Sequence, residues 1–202
     1  MAADAVEPDE GNAETSSTLL ARVQGMDTEA WQRFSQLYGP LVYRWCRRAG
    51  LQEADAGDIG SKVFEAVFKN IGSFSRKQPG ATMRGWLYRI TENKIRDSFR
   101  IPLGGAGEGG EEALQRLEAL PAAPIDEQVD AEDEALLLQR ALELIRPGFE
   151  AKTWQAFLRM VMDEQSAEDV AKALDMTTNA VYLAVARIKR RLRQEYEGLL
   201  DL

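Results

Sequence analysis

The sequence predicts an all-α fold: two small helical domains joined by a flexible acidic linker, with a helix-turn-helix in the C-terminal domain. Apolar residues recur at helical spacing in both halves of the 202-residue chain, and nothing in the first hundred residues alternates as a strand would. Gly, Pro and acidic residues interrupt the pattern between the halves. We expect four segments, namely a disordered acidic tail (1–18), a first domain (19–102), the linker (103–133) and a second domain (134–202).

The charge distribution supports this division. The net charge of −8 argues against a nucleic-acid-binding protein, yet residues 19–102 carry fourteen basic and only eight acidic residues. Residues 103–143 carry eleven acidic and two basic ones, and five of the nine basic residues in 144–202 lie within 187–193. Two helical modules with basic features are therefore separated by an acidic stretch, and this asymmetry is more informative than the total charge.

Three helices are predicted in the first domain. The first begins after Asp27, a good N-cap, and carries an apolar stripe that Gly39-Pro40 is expected to bend or break. The second and third cover about 55–70 and 82–100, and a basic loop (71–80) joins them.

The composition of residues 101–133 predicts an extended linker, because Gly, Pro and like charges keep a chain flexible. Roughly 33 residues can span about 110 Å at some 3.3 Å each. That length corresponds to about three turns of B-DNA at roughly 34–36 Å per turn. Two tethered modules can then engage separate sites on one duplex.

Four helices are predicted in the second domain. The first ends at Pro147-Gly148, and the next covers 149–162. The residues of that second helix expected to point inward are Trp154, Phe157, Leu158 and Val161. The last two helices lie within 166–193, and they are joined by a tight turn.

Residues 166–193 have the pattern of a helix-turn-helix. Ser166 and Asp169 form a capping box at the start of its first helix. Asp175 lies in the turn, where Asp tolerates the left-handed conformation, and Thr177 is a good N-cap for the second helix. This pattern is typical of a motif that places its second helix in the major groove of DNA.

The second helix of this motif has two distinct faces. At about 100° per residue, its buried stripe consists of Val181, Val185, Ile188 and Leu192. The opposite face begins with small and polar residues and ends in cations, namely Asn179, Leu183, Ala186 and Arg190, flanked by Tyr182, Arg187 and Arg193. Early residues can then meet base edges while late cations meet phosphates. The alternative is a solvated helix end that interacts with the helix dipole.

A second candidate surface combines cations with aromatic rings. Its cations are Arg76, Lys77, Arg84, Arg89, Lys94, Arg96 and Arg100, and its aromatic residues are Phe74, Trp86, Tyr88 and Phe99. Such grooves hold single strands by base stacking and phosphate neutralisation. The alternative is that Trp86 and Leu87 belong to the core and that Asp97 merely pairs with a cation at helical spacing.

Several classes of function are excluded by composition. The chain has no His and a single Cys, which excludes a histidine general base, a Ser-His or Cys-His pair and the usual His- or Cys-rich zinc sites. The acidic residues of 108–134 lack the rigid framework of a metal or acid–base site, so we predict neither an enzyme nor a cofactor. The sequence also predicts no signal peptide and no membrane span, and therefore a cytoplasmic protein.

With both modules in view, the chain resembles the extracytoplasmic-function sigma factors, the minimal two-domain bacterial sigma factors. Residues 58–64 resemble the helix of that family that binds core polymerase. Residues 85–100 match its Trp-Leu-x-x-Ile-x-x-Asn-x-x-x-Asp-x-x-Arg pattern, and residues 166–192 match its C-terminal helix-turn-helix. The resemblance covers about 19–100 and 134–200.

The resemblance implies a dissociable subunit that gives RNA polymerase its promoter choice. The residues implied in polymerase binding are Asp58, Ser61, Lys62 and Glu65. The residues implied in holding the melted downstream element are Arg76, Lys77, Arg84, Trp86, Arg89, Asn93, Lys94 and Arg100. The residues implied in binding the upstream element are Thr178, Asn179, Tyr182, Leu183, Ala186, Arg187, Arg190 and Arg193.

The implied partners are core RNA polymerase and promoter DNA, both duplex and single-stranded. An anti-sigma factor is a further candidate partner, and no membrane insertion is expected. Two departures from the family pattern are visible. Ser61-Lys62 stands where the family usually has Gln-Glu, and Ala184 or Tyr182 stands where it often has a basic residue. Two rival hypotheses therefore remain: a helix-turn-helix regulator that acts without polymerase, and a degenerate sigma-like interaction protein.

Overall fold

A computed structural model describes residues 18–75, 82–99 and 127–200. Over these ranges the all-α prediction is confirmed. The α-helices are α1 (Leu19–Gln24), α2 (Thr28–Arg48), α3 (Glu53–Asn70), α4 (Met83–Phe99), α5 (Glu127–Ile145), α6 (Ala151–Val161), α7 (Ala167–Leu174) and α8 (Thr178–Tyr196), with short 3₁₀ helices at Ile71–Ser73 and Arg146–Gly148. Residues 1–17 of the predicted disordered tail and most of the predicted linker lie outside the described residues.

The longest helix of the N-terminal half, α2, is continuous. Asp27 caps it as predicted, since its carboxylate accepts the backbone N–H three residues on at 2.9 Å. The helix runs through Gly39-Pro40 without a break. A proline has no N–H to donate to the carbonyl four residues before it, here that of Gln36. That carbonyl instead accepts a hydrogen bond from Arg140 Nε of α5 at 3.0 Å, which supplies the missing donor from the other half of the chain.

Helices α3 and α4 pack against α2 and complete the N-terminal half. Their fully or nearly fully buried apolar residues are Ile59, Val63, Val67, Met83, Leu87 and Ile90. The buried Thr91 hydroxyl donates to the Leu87 carbonyl at 2.8 Å, so its polar group is satisfied inside α4. The side chain of Gln24 donates to the carbonyls of Ile71 and Phe74 at 3.2 and 2.9 Å, which fixes the segment after α3 against α1.

Helix α5 begins earlier than the sequence pattern indicates. It starts at Glu127, so the prediction that the linker remains flexible to residue 133 is wrong. Residues 127–134 consist largely of Glu, Gln, Asp and Ala, and acidic side chains are favourable near a helix N-terminus. Like charges favour an extended chain only while they face water, and the acidic residues at 132–134 instead meet cations of the N-terminal half.

The two halves share one hydrophobic core. Residues of α5, α6, α8 and the segment after α8 join the core of α1–α4, namely Leu137, Ala141, Ile145, Trp154, Phe157, Ile188, Leu192, Tyr196, Leu199 and Leu200. The predicted burial of Trp154 and Phe157 is confirmed, but that of Leu158 and Val161 is wrong, since they are 36% and 37% exposed. The C-terminal half is therefore docked on the N-terminal half over a continuous apolar surface.

Candidate nucleic-acid interface

The turn between α7 and α8 has the local geometry that its residues predict. Ser166 Oγ accepts the Asp169 N–H at 3.1 Å and lies 2.7 Å from the Asp169 carboxylate, which forms the cap of α7. Asp175 adopts the left-handed conformation with φ 49° and ψ 59°. Thr177 Oγ1 accepts the Ala180 N–H at 3.1 Å and caps α8. The predicted helix, turn and helix are confirmed in these details.

The inner face of α8 anchors the helix. Val181 and Ile188 are fully buried and Leu192 is 8% exposed, as predicted, whereas Val185 is only partly buried. Ala184 is 4% exposed and packs in a small cluster with Val170 and Val181. A side chain at position 184 therefore points into the protein, so the absence of a basic residue there removes no contact with DNA.

The outer face of α8 consists of the residues predicted to bind the upstream element. All of them are exposed, namely Thr178, Asn179, Tyr182, Leu183, Ala186, Arg187, Arg190 and Arg193. Tyr182 and Leu183 are 56% and 47% exposed, so neither side chain belongs to the core. Polar and small groups lie in the first turns and guanidinium groups in the last ones. This order fits a helix that reads bases first and contacts phosphates later.

A cleft between α2, the end of α5 and α8 brings Arg33 and Arg191, which have no predicted role, beside Arg187 and Arg190. It has a volume of about 760 Å³, and Arg33, Arg187, Arg190 and Arg191 line it. Arg33 and Arg191 both form ion pairs with the nearly buried Glu195. Arg33 lies 145 residues before the first residue of α8, and no sequence spacing indicates that Arg33 and this helix meet.

Part of the predicted single-strand surface lies on one face of α4. Trp86, Arg89, Asn93 and Lys94 are all half-buried. The Trp86 ring lies 5.3 Å from the ring of Phe74, which is itself 8% exposed. Trp86 is thus partly a core residue and partly accessible. Arg76, Lys77 and Arg100 lie outside the described residues, so their predicted roles stay predictions.

Arg84 is separated from this face. At about 100° per residue, it lies roughly 160° around α4 from Trp86. It is 7% exposed, and its Nη2 forms an ion pair with Glu134 of α5 at 2.9 Å. In this arrangement the Arg84 guanidinium faces the C-terminal half rather than the Trp86 face of α4, although the sequence analysis grouped the two.

The residues predicted to bind polymerase share the solvent face of α3. Asp58, Ser61, Lys62 and Glu65 are all exposed, at spacings of three and four residues that place them on one side of the helix. Lys69 lies on the same side and bonds Glu65 at 2.6 Å, and this hydrogen bond lowers the pKa of the Glu65 carboxyl. The face therefore carries charges of both signs.

No group of metal-ligating side chains occurs within residues 18–75, 82–99 and 127–200. None of the helices in those ranges is long and apolar enough to cross a bilayer. Cys46 is fully buried, as predicted, and burial raises the pKa of its thiol.

Comparisons with known proteins find similarity to sigma factors. Residues 34–100 match the family model of sigma-70 region 2. The chain is 26% identical to the ECF RNA polymerase sigma factor SigD of Mycobacterium tuberculosis, over 90% of this chain and 84% of SigD. It is 25% identical to the ECF RNA polymerase sigma factor SigW of Bacillus subtilis, over 89% of this chain and 96% of SigW. It also resembles the structure of CnrH in complex with the cytosolic domain of CnrY, at 20% identity and a TM-score of 0.36, over 86% of this chain and 92% of that one.

Proposed function

We propose that the chain is an extracytoplasmic-function sigma factor, which acts in transcription initiation and directs RNA polymerase to specific promoters as a non-enzymatic subunit. Its N-terminal half binds core polymerase and the melted downstream promoter element, and its C-terminal helix-turn-helix binds the upstream element. This function operates in the cytoplasm, where promoter DNA and polymerase are found. An anti-sigma factor stays a predicted further partner.

Binding to the upstream element is supported by the outer face of α8. Its residues are exposed without exception, and the helix is anchored from behind by Val181 and Ile188. Asn179 lies in the first turn, where it can donate and accept hydrogen bonds at a base edge. Arg190 lies three turns later, where it neutralises a phosphate. This arrangement is the single observation that carries the proposal for duplex DNA.

Binding to the melted strand is supported by the accessible face of α4. Trp86 presents a half-exposed ring, and Arg89, Asn93 and Lys94 lie beside or beyond it along the helix. An aromatic ring with neighbouring cations is suited to an unpaired base and its phosphate. Asn93 is the member of this set that can form hydrogen bonds in both directions with an extruded base.

Polymerase binding can be tested on the exposed face of α3. Asp58→Arg reverses one charge on that face, while Glu168→Arg makes the same kind of change on the exposed side of α7. We expect Asp58→Arg to weaken binding to purified core polymerase at least about tenfold, since it replaces a carboxylate of the proposed contact face with a longer side chain of opposite charge. Glu168→Arg should bind as the unmodified chain does. A folded chain that shows no binding to core polymerase contradicts the proposal and favours a regulator that acts without polymerase.

A second candidate function, a sigma-like protein that occupies polymerase without initiating, is favoured by Ser61-Lys62. These residues stand at the centre of the α3 face where the family resemblance leads us to expect Gln-Glu. The double substitution Ser61→Gln, Lys62→Glu separates the two functions in reconstituted transcription. If the unmodified chain binds core polymerase but yields transcripts only after the substitution, the degenerate function is correct.

A further inference from the structure

An acidic triplet in α5, which we define as Glu132, Asp133 and Glu134, contacts the N-terminal half. Asp133 is only 3% exposed. Its Oδ2 accepts the indole N–H of Trp45 at 2.6 Å, and its Oδ1 accepts Arg48 Nη1 at 3.1 Å. A carboxylate this deeply buried is tolerated only when it is paired and hydrogen-bonded. The site on α2 is therefore built to hold Asp133.

The neighbours of Asp133 extend the same contact. Glu132 forms ion pairs with Arg44 and, at 3.0 Å, with Arg48 Nη2. Glu134 pairs with Arg84 of α4 at 2.9 Å. Three consecutive acidic residues thus meet three arginines of the N-terminal half. We call Arg44, Arg48 and Arg84 the α2–α4 cations.

Hydrogen bonds to backbone carbonyls add to this interface. Arg140 fills the acceptor that Pro40 leaves open on Gln36 at 3.0 Å. Near the C-terminal end, the buried Tyr38 hydroxyl donates to the Leu199 carbonyl at 2.6 Å. The docked arrangement therefore depends on specific partners along most of α2, as well as on apolar burial.

This inference rests on the proposed function. Docking of the two halves opposes that function, because it occupies cations that could bind DNA. Arg84 is among the cations predicted to hold the melted strand, and in the docked arrangement Glu134 takes its Nη2 group. Asp133 and Glu132 likewise neutralise Arg44 and Arg48. Two units held against each other also cannot reach promoter sites separated by several turns of DNA.

We propose that the acidic triplet is an intramolecular substitute for nucleic-acid phosphates, and that it holds the free chain in a closed state from which promoter binding releases the α2–α4 cations. The occupant of this cationic surface is thus a segment of the chain itself. Opening exchanges carboxylate partners for phosphates, so no cation is left unpaired in either state.

The closed state can be tested on the free protein by energy transfer between two labelled surface cysteines, Glu53→Cys on α3 and Lys172→Cys on α7. Burial of Cys46 leaves it unreactive beside them. The opening variant is Glu132→Lys with Glu134→Lys, whose side chains are 52% and 55% exposed, so the buried Asp133 site stays intact. The matched control is Glu150→Lys with Glu168→Lys, which makes the same charge change at exposed positions away from α2 and α4.

We expect one short distance in the unmodified chain and the control, and a longer one in the opening variant. An unchanged distance in the folded opening variant overturns the proposal. If that variant is unfolded by circular dichroism, Glu134→Gln replaces it, and the same lengthening in a smaller fraction of molecules is expected. This arm needs no polymerase, so its outcome is independent of whether the proposed function is correct.

The second arm measures binding to fluorescein-labelled decathymidine over a range of salt concentrations. Each released cation that binds a phosphate should steepen the slope of log affinity against log salt by about 0.7. We expect the opening variant to bind more tightly than the control, with a slope steeper by at least that amount beyond the control's. If the distance between the labels is longer in the opening variant but its slope of log affinity against log salt is no steeper than the control's, the phosphate-substitution part of the proposal is overturned.

Discussion

The outer face of α8 and the α2–α4 cations are two basic regions that differ in exposure and in ion pairing. Arg187, Arg190 and Arg193 are exposed at the end of a helix. Arg84, in contrast, is buried and paired, and Arg48 contacts two carboxylates of α5. The difference is whether another helix places carboxylates within hydrogen-bonding distance of the arginines. A cluster of arginines therefore indicates a nucleic-acid surface only after intramolecular partners have been accounted for.

The largest expected difference between the two regions is in stability. Arg84→Ala should lower the free energy of unfolding by about 1–3 kcal/mol, because a partly buried charge-assisted hydrogen bond and the packing of the buried Arg84 side chain are lost. Arg190→Ala should change it by less than about 0.5 kcal/mol, as expected for an exposed residue. Urea denaturation followed by circular dichroism measures both. Equal losses in the two variants would show that Arg84 is not the structural residue described above.

The interface between the halves should also respond to alkaline pH through Tyr196. Burial, followed by the nearby Glu195 carboxylate, raises the pKa of Tyr196 to about 12. The folded state holds the phenol neutral above its unfolded pKa of about 10. The contribution of the neutral phenol to the free energy of unfolding is therefore complete below about pH 10, and it is lost as the pH approaches about 12. We expect a loss of up to about 2 kcal/mol over that range.

The control for this effect is Tyr196→Phe, which keeps the ring and removes the titrating group. Its unfolding free energy should fall less than that of the unmodified chain between pH 10 and pH 12. Parallel curves for the two proteins would rule out Tyr196 as the source of alkaline sensitivity.

On the outer face of α8, Asn179→Ala should relax the preference at one base pair of the upstream element. The expected loss of discrimination is about 1 kcal/mol, since an amide contact to a base edge carries sequence information. Competition binding against a set of single-base variants of a selected duplex measures it. A uniform loss of affinity across all variants would place Asn179 on the phosphates instead.

The smallest expected effect is that of Arg190→Ala on the salt dependence of duplex binding. Loss of one phosphate contact should reduce the slope of log affinity against log salt by about 0.9, with the base preference unchanged. Lys172→Ala, on the neighbouring α7, is the matched control for removal of an exposed cation. An altered base preference in Arg190→Ala would contradict the division between early residues that read bases and late ones that bind phosphates.

Local chemistry made most of the helices predictable. The caps at Asp27, Ser166 and Thr177 and the left-handed Asp175 depend on side chains that bond within a few residues. For the same reason the exposed faces of α3 and α8 follow from helical spacing alone. Such interactions join residues that lie close together in the sequence, so they can be predicted from it.

Contacts between distant parts of the chain were not predictable in this way. The like charges at the end of the linker predict a flexible chain, but Arg44 and Arg48, more than 80 residues earlier, neutralise these charges. Proximity in sequence groups Arg84 with Trp86, but the partner of Arg84, Glu134, lies 50 residues later. Spacing along one helix cannot reveal which carboxylate a second helix will bring.

Promoter selection is tested most directly by transcription from sheared genomic DNA of the source organism by core RNA polymerase, with and without the purified chain. We expect a set of discrete transcript starts that occur only when the chain is present and that disappear with Asp58→Arg. The same starts with core polymerase alone, or none from a folded chain that binds the core enzyme, would contradict a role in promoter selection.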